Sequence, residues 1–273
     1  MPKVEKFRFK KLDTIGAADA EEDAKEVIHK ISMRSNQQNP IKRWNLVSND
    51  DFQNDLARHF WAKHLYYERR QNEWRMRKME LQSIHINRGP ELRWMVQLIA
   101  SSHYNSRKLG PAVAQGQINL LFEEDSYAVI RSTSPEKAYQ LFVLGEIMGS
   151  SLRRLRGSKR YIANLKTYID LCLYALIYKA LFEAGLSLGK EALNERLEAL
   201  WNDGATVWDQ PIKALIDIIY EKFTAQKTRV LKKEGKELSV ANYVKNRTDI
   251  SNLLEVRIPK VIKKALATAL EKE

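Results

Sequence analysis

The longest apolar stretch of this 273-residue sequence most constrains its fold. It covers residues 161–182 and reads YIANLKTYIDLCLYALIYKALF. Lys166, Asp170 and Lys179 interrupt the stretch, which favours a buried core helix over a membrane span. We therefore predict one hydrophobic core, centred on this helix, with Gly185 ending it in a left-handed cap.

Helix-start signals recur along the rest of the chain. Ser48, Gly89-Pro90, Gly110-Pro111 and Ser134-Pro135 are each typical of a helix N-terminus. Residues 6–12, KFRFKKL, alternate apolar and basic side chains and predict a short edge strand. The fold class expected is mainly α: a helical globular domain with a short β segment near the N-terminus. Residues 66–89 read as a partly ordered connector, and residues 227–238 as a polar link.

The charge balance is strongly basic, with 46 Lys and Arg against 34 Asp and Glu, a net charge of +12. Such a charge predicts attraction to polyanions, most often nucleic acid, although a solvated basic surface explains it equally well. The N-terminus lacks the apolar segment of a signal peptide, and a single cysteine fits a reducing compartment. We expect a cytoplasmic protein with no membrane contact.

A run of side-chain amides, Asn36-Gln37-Gln38-Asn39, precedes Pro40 directly after a predicted helix. Each amide offers both a donor and an acceptor. The cluster can therefore satisfy a helix end or read the edges of a nucleotide, and the residues alone favour the structural role.

This run is followed by LVSNDDFQNDL, by LYYERRQNEW and, at 120–130, by LLFEEDSYAVI. The series resembles the abortive infection phage resistance (AIPR) family, and LLFEEDSYAVI is similar to a later element of that family, with Arg131 replacing its final aromatic residue. The resemblance implies a phage-defence protein. The matching residues are Asn36, Gln38 and Asn39 in the first motif, Ser48, Asn49, Asp50, Phe52 and Gln53 in the second, and Tyr67, Glu68 and Arg69 in the third.

The resemblance is to the C-terminal half of such proteins, because this sequence has no Gly-Gln-Thr motif ahead of the amide run. An alternative function is therefore a non-catalytic helical module that docks onto a separately encoded N-terminal half. We predict two segments, an AIPR-like part at 1–145 and a helical C-terminal region at 146–273. Whether the chain is an enzyme stays open.

Two sets of candidate site residues follow. The first set is a polar pocket in which the amides face the Tyr-Glu-Arg motif, and Pro40 turns the amides away from the helix axis. The second set combines basic side chains with one tryptophan ring. Such a set suits weak, sequence-independent nucleic-acid binding, although a solvated basic face is the alternative. The polar-pocket residues are Asn36, Gln38, Asn39, Tyr67, Glu68 and Arg69, and the nucleic-acid candidates are Arg70, Trp74, Arg75, Arg77, Arg153, Arg154, Arg156, Lys159 and Arg160.

No metal or cofactor site is expected. The histidines are scattered, and His59 and His64 lack the spacing and the glutamate of a zinc motif. No phosphate-binding glycine loop occurs in the sequence. Cys172 lies in the most apolar stretch, so we interpret it as a core residue rather than a nucleophile.

Overall fold

The computed structural model describes residues 43–155, 166–204 and 206–271, which are mainly helical. The mainly α fold class is thus confirmed, while the predicted edge strand at 6–12 lies outside the described residues. Two strands, β1 (Leu65–Glu68) and β2 (Asn87–Glu91), form a parallel pair. The α-helices are α1 (Arg43–Val47), α2 (Asp51–Ala62), α3 (Glu73–Ser83), α4 (Leu92–Ser102), α5 (Leu109–Ala114), α6 (Glu124–Arg131), α7 (Pro135–Leu155), α8 (Lys166–Glu183), α9 (Asn194–Asn202), α10 (Asp209–Glu234), α11 (Val240–Lys245), α12 (Arg247–Leu254) and α13 (Lys260–Glu271).

Helix α8 is the centre of the core, as the sequence predicts. Its residues from Cys172 to Leu181 are all buried, as expected for a helix that is apolar on every side. Helices α4, α5, α10 and α13 pack around it. Gly185 ends the helix with φ +99°, and the amide of Leu186 closes the last turn on the carbonyl oxygen of Leu181 at 3.0 Å.

The expected connector at 66–89 is wrong, because these residues form a β1–α3–β2 unit. Parallel strands need a crossover, and α3 supplies it. Strand β1 shows no alternation of apolar and polar residues, because all four of its residues are buried. Helix α3 shows no apolar stripe, because Leu81 is its only buried residue.

The segment Gly89-Pro90 lies in β2 and does not open a helix; α4 begins at Leu92 instead. The pairing of Tyr66 with Arg88 and of Glu68 with Glu91 leaves Gly89 and Pro90 opposite one residue, so the ladder is irregular there. A proline has no amide hydrogen to donate to the ladder, and it is tolerated at such a bulge because the unpaired position needs no donor. Glycine is required at 89, since a Cβ would lie 2.7 Å from the carbonyl oxygen of Tyr66.

Two further boundaries differ from expectation. Asp50, not Ser48, caps α2 by accepting the amide of Gln53 at 2.8 Å. Helix α10 continues through the expected polar link to Glu234, because its Lys, Arg, Gln and Leu residues favour helix without an apolar stripe. Within the described residues, no helix combines the length and the apolar character needed to cross a membrane.

Candidate nucleic-acid interface

A cavity of about 340 Å³ lies where β1 and β2 end and α3 and α4 begin. Ligands of sheets with parallel strands commonly bind at this carboxyl edge. Four arginines and two glutamates line the cavity, which we call the arginine pocket. Its lining residues are Trp44, Glu68, Arg69, Arg70, Gln71, Asn72, Trp74, Arg75, Glu91, Leu92 and Arg93.

Two carboxylates shape the loop that carries Arg69 and Arg70. Glu73 Oε2 accepts the backbone amides of Arg69 and Arg70, both at 3.1 Å. Glu68 is 8% exposed, and its Oε1 accepts the amide of Trp74 at 3.4 Å. The loop then enters α3 through a left-handed residue, Asn72, at φ +70°. A non-glycine residue in this conformation is uncommon and marks a loop held in a defined shape.

Polar groups just before and within α2 hold two of the arginine side chains. Arg69 Nη1 donates to the carbonyl oxygen of Ser48 at 3.3 Å and to Oδ1 of Asn54. Arg70 Nη2 donates to Oδ1 of Asn49 at 3.3 Å. A guanidinium has five N–H donors, so both groups are oriented while keeping donors for a ligand.

The other two arginines come from different helices. Arg93, in the first turn of α4, stacks its guanidinium on Trp44 at 4.5 Å from the ring centroid. The ring of Trp44 in turn packs against Phe122, with 6.3 Å between centroids. Arg75, on α3, is exposed and makes no ion pair within the described part of the chain. Sequence reasoning missed Trp44 and Arg93, because only the β1–β2 pairing brings the start of α4 to this loop.

Tyr67 does not line the arginine pocket and instead belongs to a buried hydrogen-bonded chain. Its hydroxyl donates to Gln53 Oε1, Gln53 Nε2 donates to the hydroxyl of Tyr127 at 2.8 Å, and Tyr127 donates to Asp50 Oδ2 at 2.6 Å. Burial raises the pKa of Tyr67 and of Tyr127 well above the ordinary range. Both hydroxyls therefore stay protonated and able to donate at neutral pH.

These contacts bring together three elements that carry the family resemblance. Ser48 and Gln53 of the second motif accept hydrogen bonds from the Tyr-Glu-Arg motif, and Tyr127 of the 120–130 element completes the buried chain. Phe52 also meets Tyr127 edge to face, with centroids 6.4 Å apart. Asn36, Gln38 and Asn39 lie outside the described residues, so their expected contact with this motif stays a prediction.

Among the remaining nucleic-acid candidates, those within the described residues do not line the arginine pocket. Arg77 lies 5.5 Å over the ring of Tyr66 and pairs with Glu80, which raises the pKa of the guanidinium. Arg153 donates to the hydroxyl of Ser150 at 2.8 Å. Arg154 forms a two-pronged ion pair with Asp209, at 2.8 and 2.7 Å. Arg156, Lys159 and Arg160 lie outside the described residues.

Groups of three or more potential metal ligands are absent from the described residues. The Cys172 thiol is buried, and burial raises its pKa to about 12, so it is protonated at neutral pH. This environment agrees with a core residue rather than a nucleophile.

The comparison with protein families identifies the family of this chain. A model described as AIPR protein matches residues 11–234, which include the three motifs and the arginine pocket. The chain belongs to the AIPR family. Membership in the AIPR family supports a role of the phage-defence, abortive-infection type. No curated protein and no solved structure matches the chain.

Proposed function

We propose that this AIPR protein acts in phage defence by binding nucleic acid, with the backbone of a single strand held in the arginine pocket. One observation carries the proposal: four guanidinium groups surround one cavity, against two carboxylates. Guanidinium groups bind phosphate through paired N–H donors. Arg69, Arg70 and Arg93 are already positioned by other side chains, which lowers the entropy lost when a ligand binds.

The shape of the pocket favours a flexible strand over a duplex. At about 340 Å³ it is within the range of pockets that bind small molecules, so it accommodates a nucleotide-sized group rather than a double helix. Trp74 is partly exposed in its wall, and aromatic rings stack on the bases of single strands independently of sequence. The proposal is therefore sequence-independent contact with a single strand.

The decisive variant is Arg75→Gln, with Lys78→Gln as its control. Both residues are exposed on α3, but only Arg75 lines the pocket. Losing one phosphate contact should weaken binding to single-stranded DNA or RNA and reduce the salt-dependence slope of log K by about 0.7. Fluorescence anisotropy across a salt series measures this slope. Equal effects of the two substitutions would show a general charge effect, and no binding at low salt would refute the proposal.

An exposed pair of methionines favours a second candidate, the interaction module that docks onto a separately encoded N-terminal half. Met76 and Met79 are 75% and 82% exposed, and their i,i+3 spacing places them side by side on α3. Methionine is common at adaptable binding surfaces because its side chain is flexible and polarisable.

For this candidate we expect Met76→Ser/Met79→Ser to abolish co-purification with a co-expressed neighbouring gene product that carries the Gly-Gln-Thr motif. Val261→Ser is the control, since Val261 is also 74% exposed but lies on α13. Loss of co-purification with the control as well, or a neighbouring reading frame without that motif, would contradict docking by this face.

A further inference from the structure

The last turns of α10 project beyond the core. Phe223 is the last buried residue of this helix, which continues to Glu234. Residues 224–234 are exposed or partly exposed and extend over about 16 Å at the usual helical rise. Apolar burial in the core therefore does not hold this segment, although it is helical throughout.

One face of the projecting segment carries three cations. Ala225, Thr228, Arg229, Lys232 and Lys233 line a single surface depression. Their spacing of i, i+3, i+4, i+7 and i+8 is that of one helical face. Two of the five side chains are small, so a ligand can approach the helix backbone closely between the cations.

The three cations differ in how they are held. Arg229 lies near the buried carboxyl of Asp249, where burial raises the pKa of that acid and the charge of Arg229 opposes the rise. Lys232 and Lys233 make no ion pair within the described ranges. Lys227, on another side of the helix, pairs with Glu237 instead. The two C-terminal lysines are thus the cations available to an external anion.

We infer that this face of α10 contacts the phosphate backbone of double-stranded DNA. An α-helix is about 10–12 Å across and fits the DNA major groove, which is roughly 12 Å wide. The exposed side of this helix can enter the groove while its cations reach the flanking phosphates, whereas the other side borders α12. The deep, narrow major groove of an RNA duplex does not admit such a helix, so the inferred ligand is DNA. The inference extends the nucleic-acid association proposed above but rests on different residues.

The test is Lys232→Gln/Lys233→Gln against Lys213→Gln/Lys227→Gln, which removes two lysines from the same helix away from this face. Loss of two phosphate contacts should weaken binding to a short DNA duplex at least about tenfold at low salt and reduce the salt-dependence slope by about 1.8. The control pair should bind the duplex like the parent. Thermal melts verify that both double variants leave folding unchanged.

The outcomes separate this inference from the proposed function. A loss of duplex DNA binding, with single-strand binding retained and still sensitive to Arg75→Gln, supports both sites. A loss of duplex binding without any effect of Arg75→Gln supports α10 and refutes the arginine pocket. Equal weakening by the two lysine pairs, unchanged duplex binding, or an equal loss of binding to duplex RNA would each overturn the inference.

Discussion

Replacing Leu173 by Asp is expected to unfold this AIPR protein. Leu173 is 0% exposed in α8, the helix around which α4, α5, α10 and α13 pack. Burying an unpaired carboxylate costs several kcal/mol, and a domain is typically stable by only about 5–15 kcal/mol. Circular dichroism during urea unfolding measures the loss.

The control for this substitution is Leu231→Asp, which makes the same chemical change on the projecting end of α10. Leu231 is 51% exposed, so its replacement should change the free energy of unfolding by no more than about 0.5 kcal/mol. If Leu173→Asp unfolds at the same urea concentration as the parent, α8 is not the centre of the core.

The sequence was sufficient to predict α8 because burial on every side leaves a long apolar stretch that only three charged residues interrupt. The β1–α3–β2 unit lacks such a signal, since β1 is short and buried throughout and α3 is exposed almost throughout. The pairing of β1 with β2 depends on contacts across the crossover, which no local pattern encodes. A bulge at Gly89-Pro90 further conceals the second strand, because the same dipeptide is a common helix start.

The candidate site, like the fold, was predictable from the sequence only in part. Arg69, Arg70 and Arg75 are visible in the sequence as cations interleaved with aromatic residues, and the structure brings them to one cavity. Trp44 and Arg93 were not predictable, since each comes from a distant segment. The interleaved pattern also cannot show that Arg77 turns to Glu80 and Tyr66, because such pairing depends on helix orientation.

Tyr67 illustrates a different limit. The family resemblance marks it as a candidate pocket residue, but a motif does not distinguish a residue that binds a ligand from one that positions its neighbours. The structure makes Tyr67 a buried link between β1, α2 and α6, directly before Glu68 and Arg69. Its contribution to binding is therefore expected to pass through the position of β1.

Replacing Gln53 by Met tests this link and is expected to destabilise the fold by about 2–3 kcal/mol, since a buried polar group left without a partner costs about 1–3 kcal/mol. Gln53 is 0% exposed and joins the hydroxyls of Tyr67 and Tyr127. Methionine keeps a similar volume, but its thioether is only a weak acceptor for the Tyr67 hydroxyl and cannot donate to Tyr127. Urea unfolding measures the change, and single-strand binding at low salt measures its effect on the arginine pocket.

The second arm of the experiment is the double variant Gln53→Met/Tyr67→Phe. Removing both partners leaves no orphaned hydroxyl on Tyr67, so the double variant should be more stable than the sum of the single losses predicts. The stacking of residue 67 on Phe60, at 5.6 Å between centroids, is retained by phenylalanine. Nucleic-acid binding should recover together with stability if Tyr67 acts only by positioning β1. Recovered stability without recovered binding would instead show that the Tyr67 hydroxyl serves the ligand, and additive losses would show that the two side chains are not coupled.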